Sequence, residues 1–366
     1  MSLDDPTILQ FSVPYQLVPS GRDTVRLIAS GSLPVTLESS AFSMTRLCEM
    51  LNRGCSKDDL LEVGGDAVRV RRTVESLVKR GLVRRLAPAP EDLQKLIPRW
   101  QRQISAFRKY ETSDCTRYDV FRRIRNARVV LIGVGGLASW CLQHLVAAGL
   151  GRIVLVDFDR VEESNLSRQS LFLQEHVGRK KIDAAADMIG KLSTHTTVDA
   201  VDQRVNSETD ITKLVERFHP IDLVILTADR PIWGISVWAS HACGKAKIPL
   251  LRGNSNGVGP IMVLGETACP ACEWPALKET FEDAEEIIRY YRTEPRSSVV
   301  KSALSTEIAL AGTLLADEAL HHLATTGDFS RRDRKSAVRN KLGLEVKREP
   351  KERHPNCEVC GEAAAV

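Results

Sequence analysis

The run from Val129 to Asp159, VVLIGVGGLASWCLQHLVAAGLGRIVLVDFD, leaves few folds open. A short apolar run ends in Gly133-Val134-Gly135-Gly136, a helical pattern follows, and a second apolar run ends at Asp157. That order predicts the opening β-α-β of a parallel sheet, since parallel strands need a crossover. Backbone N–H groups of the turn and the helix N-terminus would then face an anion above the sheet. Gly133 is expected to make the tight turn, and Gly135 and Gly136 to let a phosphate approach the backbone. Asp157, 24 residues after Gly133, is placed to accept ribose hydroxyls. Ala138 stands where a dinucleotide turn usually has its last glycine, so the turn alone suits NAD or ATP.

The next residues separate the two. Asp157-Phe158-Asp159 leads into Asn165-Leu166-Ser167-Arg168-Gln169. A nicotinamide ring needs a flat apolar slot and has no use for a guanidinium near the phosphates. A triphosphate does: Arg168 can pair bidentately with phosphate oxygens, with Asn165 and Gln169 orienting it. Lys180 and Lys181 open the next helical pattern and offer a point charge to the α-phosphate. Asp229 follows the apolar run DLVILTA at a carboxyl-end crevice and suits Mg²⁺ carrying the triphosphate. Asp159, Asn165, Arg168, Lys181 and Asp229 together favour ATP. No general base is evident for a hydroxyl acceptor, so an already anionic carboxylate is the expected acceptor of AMP. Arg168, Lys181 and Asp229 are the expected catalytic residues.

Cys269-Pro-Ala-Cys272 and Cys357-Glu-Val-Cys360 are each C-x₂-C, and two such pairs make a thiolate site for a structural Zn²⁺. Of the other five cysteines, only Cys243 lies between Asp229 and the carboxyl terminus, inside an apolar pattern that predicts core packing. No thioester-forming cysteine is evident.

The 366 residues divide by pattern into three segments. Residues 1–90 read as short strands, three helical patterns (Ser43–Asn52, near Lys57–Val63, Val70–Arg80) and a returning strand at Leu82–Leu86: a winged-helix layout with a small sheet. Residues 91–126 read as a helical connector. Residues 127–366 alternate strands with helices, which predicts a Rossmann-like α/β fold with a mostly parallel sheet covered on both faces. Residues 273–298 read as a mobile loop or short exposed helix, and Val299–Leu323 as a core helix. The tail Arg331–Arg353, with ten Lys/Arg against four acids, reads as a solvated face with local strand pairing. The net charge of +4 is small for this length, and no stretch has the apolar length of a membrane span. With no leader pattern, cytoplasm is the expected compartment.

GVGGLA (133–138), DFDRVEESNLSRQ (157–169), VGRKK (177–181), TADR (227–230) and the two cysteine pairs together resemble the adenylating enzymes of the ThiF/MoeB type, related to ubiquitin-activating enzymes. The resemblance implies ATP, Mg²⁺, a homodimer, and adenylation of a peptide or protein carboxyl group. It assigns Gly135 to the nucleotide turn, Asp157 to the ribose, and Asp159, Asn165, Arg168, Lys181 and Asp229 to ATP, phosphate and magnesium. Relatives often carry Arg-Tyr-x-Arg before the first strand, the second arginine reaching the partner's phosphates. Here the run is Arg117-Tyr118-Asp119-Val120, with Arg117, Arg122 and Arg123 as substitutes.

The extra amino-terminal segment and the missing cysteine resemble the branch that modifies ribosomally made peptides, to which the enzymes activating the microcin C precursor and making pantocin A belong. That resemblance implies an extended leader peptide bound by residues 1–88, by strand addition. Arg69, Arg71, Arg72, Lys79, Arg80, Arg84 and Arg85 would pair with an acidic leader, and a Glu side chain in the peptide would be the carboxylate activated. Two alternatives remain open here: activation of the terminal glycine of a ubiquitin-like sulfur carrier, and a non-catalytic nucleotide-binding regulator whose winged helix contacts DNA.

Overall fold

The computed structural model describes residues 7–13, 15–20, 23–29, 33–112, 114–231, 233–255, 257–293, 303–325, 334–339 and 345–361. Contacts gather into two units, Met1–Leu96 and Ile97–Val366.

In the first unit, β1 (Ile8–Phe11) precedes an antiparallel three-stranded sheet of β2 (Gln16–Pro19), β3 (Thr24–Ile28) and β4 (Val35–Glu38). Two helices follow, α1 (Met44–Arg53) and α2 (Ala67–Lys79), and then β5 (Val83–Leu86), which pairs antiparallel with β1. Ser43 caps α1, and Asp66 caps α2 by accepting the backbone N–H groups of Val68 and Arg69. Apolar spacing turns Leu47, Cys48 and Leu51 of α1 and Val70, Val74 and Leu77 of α2 into a core with Val25, Leu27 and Phe11. The seven basic residues of α2, its C-terminus and β5 all stay exposed.

The second unit opens with α3 (Ile97–Ala106) and α4 (Arg117–Asn126), which the sequence reads as a connector. They pack as part of this unit. Trp100 of α3 is 1% exposed, lies 5.6 Å from the Phe121 ring and 5.0 Å from His195, and donates its indole N–H to the Ala147 carbonyl. Then come β6 (Arg128–Ile132), α5 (Gly136–Ala147), β7 (Arg152–Asp157), α6 (Lys181–Leu192), β8 (Thr197–Asp202), α7 (Glu208–Phe218), β9 (Leu223–Leu226), α8 (Gly234–Lys245) and β10 (Leu250–Asn254). The five strands are parallel in the order β8-β7-β6-β9-β10, so the chain reverses direction across the sheet between β6 and β9. An open α/β sheet gathers ligands at such a reversal, beyond the carboxyl ends of its strands.

Three antiparallel strands extend the sheet: β11 (Gly257–Met262) and, beyond three further helices, β12 (Arg334–Arg339) and β13 (Glu345–Pro350). The β12–β13 pair bears out the local pairing expected of the basic tail. Of the two forms expected of the charged segment after Cys272, the helical one is found: α9 (Trp274–Thr280) and α10 (Ala284–Thr293), with Trp274 and Ile288 buried. Its apolar residues are spaced three to four apart, which outweighs the charge between them. Residues 294–302, the rest of the expected loop and the start of the expected core helix, lie outside the described residues. The helix itself, α11 (Ser305–Ala324), packs on α5. No described helix is long and apolar enough to cross a membrane.

Removing the Trp100 ring would leave an unpaired Ala147 carbonyl and a large void beneath α4. Trp100→Ala is expected to cost about 3–5 kcal/mol, read as a lower urea midpoint at constant slope.

Candidate active site

The Gly133–Gly136 turn is held from two sides. Asp157 at the end of β7 accepts the Val134 N–H at 2.6 Å and the Asp159 N–H at 2.8 Å, one with each carboxylate oxygen. Gly133, at φ +96°, presses against the chain after β9: a Cβ there would fall 2.5 Å from the Ala228 nitrogen. Gly136 abuts Ile308 of α11, whose methyl would lie 2.8 Å from an added Cβ. Gly135 caps α5 and differs, since an added Cβ would meet nothing within 4 Å. Only at Gly135 does the missing side chain keep space open for a ligand. At Gly136 helix packing is the reason for glycine, rather than the phosphate approach expected of it. Ala138 is a fully buried residue of α5.

A cleft of about 1180 Å³ opens above this turn. Gly133, Gly135, Gly136, Asp157, Asp159, Arg168, Gln169, Lys181 and Asp229 all line it, although they span nearly a hundred residues of chain. Lys181, at the first turn of α6, is 7% exposed and pairs with Asp159 at 2.9 Å. Arg168 donates to the Ser164 carbonyl at 3.0 Å, which leaves the rest of its guanidinium fork over the cleft. Gln169 is buried, and its side-chain oxygen has no hydrogen-bond partner among the described residues. Asp229 stands exposed at the carboxyl end of β9, with the Arg230 guanidinium 4.0 Å away.

Two expected residues are used otherwise. Asn165 is buried, accepts the Glu162 N–H and contacts Ser164, closing a single 3-10 turn; it does not line the cleft. Lys180 points away to Asp202 at 2.5 Å. Sequence reasoning also missed groups that face the cleft: Thr227, whose hydroxyl donates to the Gly133 carbonyl, Phe158 with the Arg204 guanidinium 4.9 Å from its ring centroid, and Arg252 of β10. An aromatic between two acids, Asp157-Phe158-Asp159, was the available signal for Phe158. Nothing in the local pattern marked Arg252.

The arginines offered as substitutes at the amino side of β6 are all engaged within the chain. Arg117 pairs with Glu111 at 3.5 Å, Arg122 with Asp119 at 3.2 Å, and Arg123 donates to the Ala324 carbonyl at 3.1 Å. Val120 itself is fully buried.

The sulfurs of Cys269, Cys272, Cys357 and Cys360 lie within 4.8 Å of one another, all four residues buried. The Cys269–Cys357 and Cys272–Cys360 separations are 3.4 and 3.3 Å, too long for a disulfide and near the roughly 3.8 Å edge of a tetrahedron with metal–sulfur bonds of about 2.3 Å. The backbone N–H of His354 donates to the Cys272 sulfur. The four can hold a metal ion. Every other cysteine is buried too, and burial pushes the Cys243 thiol up to about 12.

Comparison with known proteins agrees with this arrangement. Residues 101–359 match the ThiF family. The molybdopterin-synthase adenylyltransferase of Salmonella typhimurium is 27% identical over 243 residues, 65% of this chain and 89% of the relative. Ubiquitin-like modifier-activating enzyme 5 of Drosophila ananassae is 30% identical over 225 residues, 57% of this chain and 54% of its own length. Among solved structures, MccB of Escherichia coli with AMPCPP and MccA superposes with a TM-score of 0.68 at 19% identity, over 97% of this chain and 100% of MccB. PaaA does so at 0.64 and 19%, over 92% and 98%. The family match spans most of the chain, and the chain belongs to the ThiF family.

Proposed function

We propose that this ThiF-family enzyme, which uses ATP to adenylate a carboxylate, acts on a ribosomally made precursor peptide, activating a Glu side chain. The observation that carries the reading is the convergence of nine expected nucleotide residues on one cleft above a helix N-terminus. In this reading the α-phosphate rests over the Gly135 turn, where unpaired N–H groups of α5 offset its charge. The Arg168 fork and Lys181 face the charge that develops at phosphorus, and Asp159 holds the Lys181 ammonium in place. Asp159 also stands with Asp157 at the ribose end of the cleft. Gln169 offers its unpaired amide oxygen to the nucleotide. Asp229 would hold Mg²⁺, which neutralises phosphate charge when bound.

A carboxylate oxygen attacks the α-phosphorus, the bond to the β-phosphate oxygen breaks, and pyrophosphate leaves. A nitrogen of the same peptide then attacks the acyl carbon, expels AMP and gives up its proton to solvent. No accessible thiol is at hand among the nine buried cysteines to hold the acyl group in between.

The extent of the likenesses supports a peptide substrate. The molybdopterin-type relative aligns with 65% of this chain, whereas MccB and PaaA share the fold over 97% and 92%, the first unit included. MccB, a Microcin C7 biosynthetic enzyme, has been solved with ATP and with N-formylated MccA. In this chain the outer edges of β2 and β4 lack a strand partner among the described residues, and the basic face of α2 and β5 is exposed. An acidic leader could add a strand there and pair with Arg71, Arg72, Arg84 and Arg85. A homodimer fits the family habit. The names of the sequence relatives favour a second reading, adenylation of a sulfur-carrier protein, but it leaves the first unit without a task.

Incubating the protein with MgATP and a leader-bearing glutamate peptide should release AMP and pyrophosphate and remove water from the peptide, followed by nucleotide chromatography and mass spectrometry. ADP as the sole nucleotide product would refute adenylation. Asp229→Ala and Arg168→Ala should each lower kcat by about 10²-fold or more with the fold intact by circular dichroism. The cysteine cluster should carry about one Zn²⁺ per chain by elemental analysis. Cys357→Ser should lose that metal and lower the melting temperature, because four buried sulfurs need a cation to be deprotonated together.

A further inference from the structure

Arg252 is out of place for its position. The parallel register sets Val156 beside Ile132, Ile132 beside Leu226, and Leu226 beside Arg252. The row therefore runs through three fully buried aliphatic residues and ends in a guanidinium. Arg252 is half-buried, and a partly desolvated charge among such neighbours is costly unless something pairs with it. Among the described residues the Arg252 side chain makes no hydrogen bond or ion pair; desolvation weakens its hold on the proton, and the more distant Glu273 and Asp229 carboxylates partly offset that.

The backbone is shaped around this side chain. Leu251 pairs with Ile261 and Gly253 with Val258, so two residues of β11, Gly259 and Pro260, oppose the single Arg252. A bulge of this kind re-aims side chains and breaks the ladder beside a site. Here it adjoins a second cavity of about 290 Å³, with an apolar side of Leu250, Met262 and Ala268 and a polar side where Glu273, Lys351 and Glu352 lie near the Cys269–Cys272 pair. Arg252 and Asn254 line both this cavity and the nucleotide cleft. Two strand spacings separate Arg252 from the β6 turn, about 10 Å. Its root is too far from the turn to cradle an α-phosphate, but its long side chain suits a group approaching from the far side of Asp229.

We propose that the second cavity takes the peptide segment carrying the acceptor, and that Arg252 pairs with the acceptor carboxylate and presents it to the nucleotide. The inference rests on the adenylation reading and names its acceptor subsite. A guanidinium fits a carboxylate with two parallel N–H···O bonds, fixing its plane, and offsets its repulsion by the triphosphate. The apolar side of the cavity and the two glycines of β11 accommodate the attached chain. On the polar side Lys351 already pairs with Glu273 and Glu352 adds a further acid, which leaves Arg252, among the described lining residues, as the cation open to a carboxylate. A neutral glutamine side chain in the same place would lack the charge that makes such a pair strong.

The test uses the full chain in three forms: unmodified, Arg252→Gln and Arg252→Lys. The probes are Mg·AMPCPP, N-acetyl-glutamate α-amide and N-acetyl-glutamine α-amide, titrated by calorimetry and ligand-observed NMR with and without nucleotide. The unmodified protein should bind the glutamate probe more tightly than the glutamine probe. Arg252→Gln should weaken the glutamate probe by about tenfold or more and abolish that preference, with Arg252→Lys in between. AMPCPP affinity should stay within about twofold in both variants. Equal binding of the two probes by the unmodified protein, or no effect of the variants, would overturn the proposal. So would a loss confined to AMPCPP, which would move Arg252 to the triphosphate. Failure of the unmodified protein to bind AMPCPP is a separate result: it would remove the adenylation reading itself.

Discussion

The two hydrogen bonds accepted by Asp157 hold the site together. One oxygen fixes the Val134 N–H inside the glycine turn, and the other fixes the Asp159 N–H just past β7. The same carboxylate thereby sets where the nucleotide turn lies and where Asp159 points. Asp159 in turn pairs with Lys181 and accepts its backbone N–H, which anchors the start of α6. On the opposite side, Gly133 brings the turn against Ala228, and Thr227 donates to the Gly133 carbonyl. Three strand ends are therefore tied together, and Asp229 takes its place as the next residue along. A carboxylate accepting two backbone N–H groups still has lone pairs to offer, so the ribose role expected of Asp157 remains compatible with this bracing.

The site was legible to the extent that its chemistry is local. A glycine turn between apolar strands, an acid at a strand end and paired C-x₂-C motifs all act over a few residues, and nine of the expected cleft residues meet as expected. The four cysteines converge across 84 intervening residues because the spacing within each pair already dictates the ligand geometry. Asn165 closes its own turn and lies off the cleft lining, which a motif position alone does not reveal. Arg252 was invisible for a different reason. It became a candidate only when three non-consecutive strands lined up beside it, and register across a sheet is not a local property. The segment at Ala284–Thr293 takes the short exposed helix of the two forms expected; its charge count alone does not decide between them, and its period does.

Charge in the cleft is asymmetric. Arg168, Lys181, Arg204, Arg230 and Arg252 face Asp157, Asp159 and Asp229, and Lys181 is already balanced by Asp159. Val120 is buried, and Arg117, Arg122 and Arg123 each have a partner in their own chain; the positive charge that this chain itself brings to the cleft comes from the five cations of its walls. Those five sit on the sheet, its loops and the start of α6. Their spread separates two tasks that a single arginine cannot perform: balancing the phosphates beside the glycine turn, and fixing an anionic acceptor about 10 Å across the sheet.

The thiols set the last constraint. An acyl group activated by AMP is open to attack by water, and enzymes that store it on sulfur need an accessible thiolate near neutral pH. Here Cys243 is buried with its thiol pushed up to about 12, and Cys141 is pushed higher still by burial. On the adenylation reading, the activated carbonyl must then be consumed where it forms. Water is the abundant competitor, so the winning nucleophile needs a high effective concentration; under the proposed peptide substrate, a nitrogen of the same chain would have it by connection. Docking the leader on the first unit would act in the same direction, turning capture of the acceptor segment into an intramolecular event. The buried thiols and the extra unit are thus consistent with one economy: a substrate held at two points needs no covalent carrier between activation and displacement.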